Sequence, residues 1–238
     1  VADRSPESEK RATLPLFPLQ AVLMPGAHLP LHIFEPRYRQ LTVDLMNEVL
    51  PDRQFGIIAI KTSMVREVEG PQDLFDVGCS AELREAKSLP DGRFDIVTTG
   101  RRPFRLLDVD TTAAPYLMGT VEWLADAPVP KGADEATERL SSVARSAHRQ
   151  YCDSAWESDD WSTPPHDTDV EDLAYLLAAD CLLPLADQQR LLEERQPLRR
   201  LRLACRLLTR EAGFLSTLRA VPAPPTGEGA LSTPGSLN

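Results

Sequence analysis

Several common signatures are missing from this 238-residue chain, and each gap removes a class of function. No Gly-Lys dipeptide occurs anywhere. The phosphate-cradling loop G-x-x-x-x-G-K-[ST] therefore cannot be built, and nucleotide hydrolysis of that kind is excluded for these residues. Lysine is scarce, with only Lys10, Lys61, Lys87 and Lys131 present. There is no polybasic tract, and a formal net charge of −10 disfavours nucleic acid as a partner. The four cysteines, Cys79, Cys152, Cys181 and Cys205, lie far apart and form no C-x-x-C pair. The first ten residues lack the apolar core of a signal peptide, so these thiols are expected to be reduced and the setting cytoplasmic. A membrane is not an expected partner either. The apolar stretch Leu19–Phe34 is broken by Pro25, Gly26, Pro30 and two histidines, whereas a spanning helix needs about 20 apolar residues.

What is present is an ordinary globular composition, 42% hydrophobic and 26% charged, with 21 prolines that punctuate it. Residues 14–39 read as a short apolar strand, a Pro25-Gly26 turn, a second apolar strand and a helix opened by Pro36. Pro15, Pro18 and Pro30 remove ladder donors, which places their strands at sheet edges or bulges. Tyr38, Leu41, Leu45 and Val49 would share the inner face of the helix. Further strands are expected at 55–61, 77–89, 93–99, 104–110 and 116–124, with Pro90-Asp91-Gly92 as a hairpin turn. Thr62 to Phe75 lacks periodicity and is expected to be an exposed loop. Six or seven strands around one short helix suggest a partly closed barrel.

After Pro128 and Pro130 the period becomes helical. Ala136, Leu140, Val143, Ala147 and Tyr151 form one stripe. Residues 153–172 carry eight acidic side chains and no Lys or Arg, with Pro164-Pro165 in the middle, and read as an irregular acidic linker. Thr168-Asp-Val-Glu171 fits a capping box for a helix carrying Val170, Leu173, Leu177 and Cys181. A short helix from about Asp187 to Arg195 follows. Pro197 then opens a long helix with Leu198, Leu201, Cys205, Leu208, Ala212 and Leu215 inward. Cys181 and Cys205 are expected to be small core residues.

Four segments resemble a known family: the opening Leu-Pro-Leu-Phe-Pro-Leu, Phe34-Glu-Pro-Arg-Tyr-Arg39, Asp76-Val-Gly-Cys79 and Leu89-Pro-Asp-Gly92. In order and wording they resemble the amino-terminal, substrate-binding domain of Lon proteases, particularly small bacterial proteins that carry that domain alone. The resemblance covers roughly residues 12–220. It implies an α+β fold, with an N-terminal PUA-like β pseudo-barrel and one short helix followed by a C-terminal helical bundle. The expected organisation is a flexible arm at 1–12, the barrel at 13–126, the helical part at 127–220 and a disordered tail at 221–238. It also implies non-catalytic recognition of unfolded or exposed protein segments, in concert with a protease or chaperone. Lon's peptidase uses a Ser-Lys pair, and none of the four lysines stands in the context that site requires. No cofactor is called for.

Two residue groups are candidates for contact. Phe34, Glu35, Arg37, Tyr38 and Arg39 form the strand-to-helix junction, either as one wall of a peptide-binding surface or as internal packing. Arg195, Arg199, Arg202, Arg206 and Arg210 fall at +4, +7, +11 and +15 on the last helix. They are either a docking stripe or a solvated face opposite the leucines. His28 and His32 have H-x-x-x-H spacing, but in a strand positions four apart lie about 13 Å from each other, too far for one metal ion. His148 and His166 have no apparent ligand partner, so no metal site is expected. A hydrolase with a Ser-His-Asp arrangement distant in sequence, and an RNA-binding PUA-like module, stand as alternatives.

Overall fold

A computed structural model of the chain describes residues 10–62, 68, 70–156, 161 and 163–218. Both the expected tail and most of the expected arm lie outside them. Six strands are present: β1 (Arg11–Leu19), β2 (His28–Ile33), β3 (Gln54–Ala59), β4 (Val77–Ser88), β5 (Phe94–Asp110) and β6 (Met118–Trp123). Five α-helices accompany them: α1 (Pro36–Met46), α2 (Asp134–Ala155), α3 (Val170–Ala179), α4 (Leu185–Glu193) and α5 (Pro197–Leu218). The class is α+β, with strands first and helices after.

The sheet runs β2-β5-β4-β3-β1-β6, and β5 also pairs with β6. Five strands therefore close into a ring, while β2 hangs on β5 outside it. One strand makes closure work. β5 is 17 residues long; residues 94–99 pair with β2 and residues 104–110 with β6. Two separate strands were expected here. The bend falls between Gly100 and Pro103, where the register with β4 shifts, so one bulged strand turns the corner that two would otherwise make. The expected hairpin turn is present: Gly92 takes φ +78°, and its N–H donates to the Leu89 carbonyl at 3.0 Å.

β1 begins at Arg11, inside the stretch expected to be a flexible arm, and it is not an edge strand despite its prolines. Residues 11–15 pair with β6, and residues 16–19 pair with β3. Each half carries a ladder on one side only, which limits the cost of Pro15 and Pro18. Edge placement holds for Pro30, in β2.

Alternation along β1 and β3 feeds two cores. Leu14, Leu16 and Ile58 join Leu74, Phe104, Leu106 and Val121 inside the ring. Phe17, Leu19, Phe55 and Ile57 face outward into a larger core shared with α1 and the helices. The ring is narrow: a Cβ on Gly56 would meet Leu16 and Phe104 at 2.9 Å, and one on Gly78 would meet Phe104 at 2.5 Å. Leu74 is fully buried, which corrects the reading of 62–75 as an exposed loop; residues 63–67 and 69 of that segment lie outside the described residues.

The helices and their connections show four further departures. α1 buries Tyr38, Leu41 and Leu45, but the chain turns out of the helix at Asn47 and Glu48 takes φ +57°. Val49 is left exposed rather than packed. α2 buries Ala144, Ala147, Tyr151 and Cys152, so its covered face begins only half-way along and Val143 is 58% exposed. The capping box is not made: Asp169 is the N-cap of α3 without a side-chain bond, and the Thr168 hydroxyl donates to the Pro165 carbonyl instead. Described parts of the acidic linker are held to α2 by Arg145, which donates to the carbonyls of Pro164 and Pro165.

Candidate functional site

At the junction between β2 and α1, Pro36 occupies the first turn and Glu35 the extended N-cap position, so the chain changes direction within two residues. Phe34 is left 44% exposed, its ring 6.4 Å from that of His32. The other expected contact residues divide. The Tyr38 ring is buried and stacks on Phe17 at 4.0 Å, which makes it core rather than a contact surface. Glu35 accepts from Arg37 Nε at 3.0 Å, and the Arg37 guanidinium lies 4.8 Å from the centre of the Tyr38 ring. Both side chains thus brace the turn. Arg39 reaches toward the β4–β5 turn, where a Cβ on Gly92 would stand 3.3 Å from its Nη1.

β2 is the terminal strand of the sheet. Gly100 N–H donates to the Ala27 carbonyl at 2.9 Å, and antiparallel alternation then directs residues 29, 31 and 33 toward β5. The backbone groups of His28, Pro30 and His32 face the open edge, where Pro30 offers a carbonyl but no N–H. Above this edge His32 Nδ1 lies 2.7 Å from Asp95 Oδ1, and Arg93 Nη1 lies 3.2 Å from His32 Nε2. Arginine is only a donor, so Nε2 accepts and Nδ1 donates. The two histidines occupy one strand and engage different partners, since His28 pairs with the Thr99 hydroxyl at 3.0 Å.

The arginine stripe expected on the last helix is split: Arg195 falls in the connection before α5, and neighbours engage it and Arg210. Arg195 pairs with Asp126 at 2.5 Å and with the Tyr175 hydroxyl at 3.1 Å. Arg210 pairs with Asp187 and Glu211, both at 2.6 Å. Arg199, Arg202 and Arg206 are exposed, and they line a groove of about 740 Å³ with Leu140 and Val143 of α2 and Leu203 of α5.

One arginine was missed by the stripe. Arg200 is completely buried and donates to Asp126 at 3.0 and 2.6 Å and to the Glu194 carbonyl at 2.8 Å. It also donates to the Glu171 carbonyl, and its guanidinium lies 4.0 Å from the Tyr175 ring centre. A signal was available: Arg200 sits four residues before the inward Ala204, on the apolar face of the helix.

The cysteine thiols, the buried tyrosines and His148 owe their displaced pKa values mainly to burial, whereas hydrogen bonds lower Glu82, Asp91 and Asp110. Burial pushes the Cys79 thiol up to about 12 and the Cys152 thiol to about 11, and it also raises Cys205, which lines the groove. Raised thiols are poor nucleophiles. His148, expected to have no ligand-type neighbour, is buried with Nε2 3.6 Å from Cys152 Sγ. Among the described residues no three His, Cys, Asp or Glu side chains converge to hold a metal ion.

Residues 13–210 match the family model of the ATP-dependent protease La (LON) substrate-binding domain. The chain belongs to that family. Among curated relatives, a Lon protease of Anaeromyxobacter dehalogenans is 28% identical over 222 residues, covering 91% of this chain and 25% of the relative. A Lon protease of Cytophaga hutchinsonii is 26% identical over 218 residues, covering 90% and 26% respectively. This chain spans about a quarter of the length of these relatives. Two solved structures share the fold. The Lon N-terminal domain protein of Xanthomonas campestris is 22% identical with a TM-score of 0.56, covering 89% of this chain and 99% of that one. The N-terminal domain of Mycobacterium avium complex Lon protease is 16% identical with a TM-score of 0.62, covering 83% and 98%. The matched residues 13–210 take in strands and helices alike, and all four motifs singled out in the sequence lie within them.

Proposed function

We propose that this chain is a non-catalytic module that holds extended or unfolded protein segments, as the family's description as a substrate-binding domain suggests. The observation that carries this reading is the β2–α1 junction, where an open strand edge ends in the half-exposed Phe34. A segment laid along β2 would exchange backbone hydrogen bonds with His28 and His32, and these supply affinity without regard to sequence. Phe34 adds an apolar contact and Arg39 a guanidinium, which supply preference. A motor or cutting activity acting on the held segment would be supplied from outside these residues, as by a protease or chaperone. The unpaired cysteines suit a reducing compartment, in keeping with a cytoplasmic setting.

Fluorescence anisotropy with labelled, reduced and alkylated casein tests the reading. Saturable binding is expected, with no ATP-stimulated cleavage. Phe34→Ser should weaken it about fivefold, roughly the worth of one partly buried aromatic contact, and leave the circular dichroism spectrum unchanged. Absence of association at high micromolar concentration would overturn the proposal.

A further inference from the structure

The groove on the helical part contains no residue of the β2–α1 junction and has a chemistry of its own. Its floor is apolar: Leu140 and the largely exposed Val143 of α2, with Leu203 and Cys205 of α5. Its wall carries Arg199, Arg202 and Arg206 at i, i+3 and i+7, one face of a single helix about 10 Å long from first to last. Among the described residues none of these three guanidiniums makes a side-chain hydrogen bond or ion pair.

The two carboxylates at the rim are turned to other donors, and among the described residues neither pairs with a groove arginine: Glu193 accepts from Gln189 Nε2 at 2.9 Å, and Glu194 accepts from the Gln196 N–H at 2.9 Å. Arg190, the remaining rim cation, is paired with Asp187 at 3.1 Å. In a chain of net charge −10, three adjacent cations that make no ion pair among the described residues stand beside an apolar floor whose open part is the 58% exposed Val143, flanked by the half-buried Leu140 and the buried Leu203.

We infer that this groove is a second binding site, and that it takes an acidic amphipathic polypeptide segment. Carboxylates on the segment would meet the guanidiniums in the two-pronged geometry that arginine favours. A leucine-sized side chain would rest on Val143 and Leu140 and remove them from water. A nucleic acid fits less well, because the floor offers no aromatic platform on which a base could stack.

The test uses a labelled twelve-residue peptide of Glu and Asp with Leu at every third or fourth position. Its comparators are the same peptide with Gln and Asn for the acids, the same peptide with Ser for Leu, and an oligouridine. The acidic Leu peptide should bind at least about tenfold more tightly than either altered peptide, and more weakly as salt rises. Arg199→Gln/Arg202→Gln/Arg206→Gln should abolish the preference for acids. Val143→Glu should weaken binding comparably, and Phe34→Ser should not affect it. Both groove variants change exposed side chains, so native circular dichroism is expected of each. Undetectable binding of the acidic peptide, equal affinity for its Gln and Asn form, an unaltered triple variant or tighter binding of oligouridine would each overturn the inference.

Discussion

A guanidinium withdrawn completely from water is costly unless its donors are matched, and removing one member of such a pair strands the other. Arg200 meets most of this demand through Asp126, two backbone carbonyls and the Tyr175 ring, and only its Nε has no partner. Arg200→Leu should therefore lower stability by about 3–5 kcal/mol, the range for breaking a buried pair, read as a shift in the urea midpoint. Combined with Asp126→Asn the loss should fall short of the sum, because both changes break the same contact. His148 makes a second residue-scale case. Burial holds its pKa below the ordinary 6.5; the Arg145 charge acts in the same direction and Asp180 opposes it. The folded chain thus binds fewer protons than the unfolded one just below that pH. Stability should be complete above about 6.5, decline as pH falls toward the folded-state value, and level off beneath it. His148→Gln should flatten that slope in denaturation curves collected across the window.

At the scale of elements, the ring depends on positions that admit no side chain. Gly78 faces the Phe104 ring and the Ile57 carbonyl, with a Cβ falling 2.5 and 2.6 Å from them. The backbone oxygen cannot move aside as a flexible side chain would. Gly78→Val should cost about 1–3 kcal/mol or more from overpacking, measurable as a lowered thermal midpoint. The hairpin turn, α1 and the long α5 could be read from the sequence because glycine, proline and apolar period act locally there. Pro36 presets the first turn of α1, and Gly92 tolerates the positive φ of its turn. Elements decided by distant partners could not be read. Nothing local reveals that residues 94–99 and 104–110 form one strand, since β2 and β6 impose the continuity. Val143 sits on a plausible stripe, yet it is left exposed while Leu140 of the same stripe packs against the core. At the candidate site, Phe34 to Arg39 could be found through motif and periodicity. Whether Tyr38 faced a ligand or Phe17 was settled only by the arrival of β1.

At the scale of the whole molecule, strands and helices are joined by more than a linker. One apolar core includes Phe17, Phe55 and Cys79 from the strands and Leu173, Leu191 and Leu201 from the helices. Gln189 of α4 donates to the Val77 carbonyl of β4 at 2.9 Å, and Asp126, just after β6, holds both Arg195 and Arg200. Taking either half away would expose the apolar side of the other, so the two should unfold as one cooperative unit. Tryptophan permits a direct test, because Trp123 lies in β6 whereas Trp156 and Trp161 lie in the helical part. Variants that retain only Trp123, or only Trp156 and Trp161, should give coincident urea transitions. Leu201→Ala, which opens a cavity in the shared core at a cost of about 2–5 kcal/mol, should move both transitions together. Two resolved midpoints, with the strand signal insensitive to Leu201→Ala, would mean that the halves are energetically separate. Binding at the β2 edge and in the α2–α5 groove would then have to be treated as properties of two bodies rather than one.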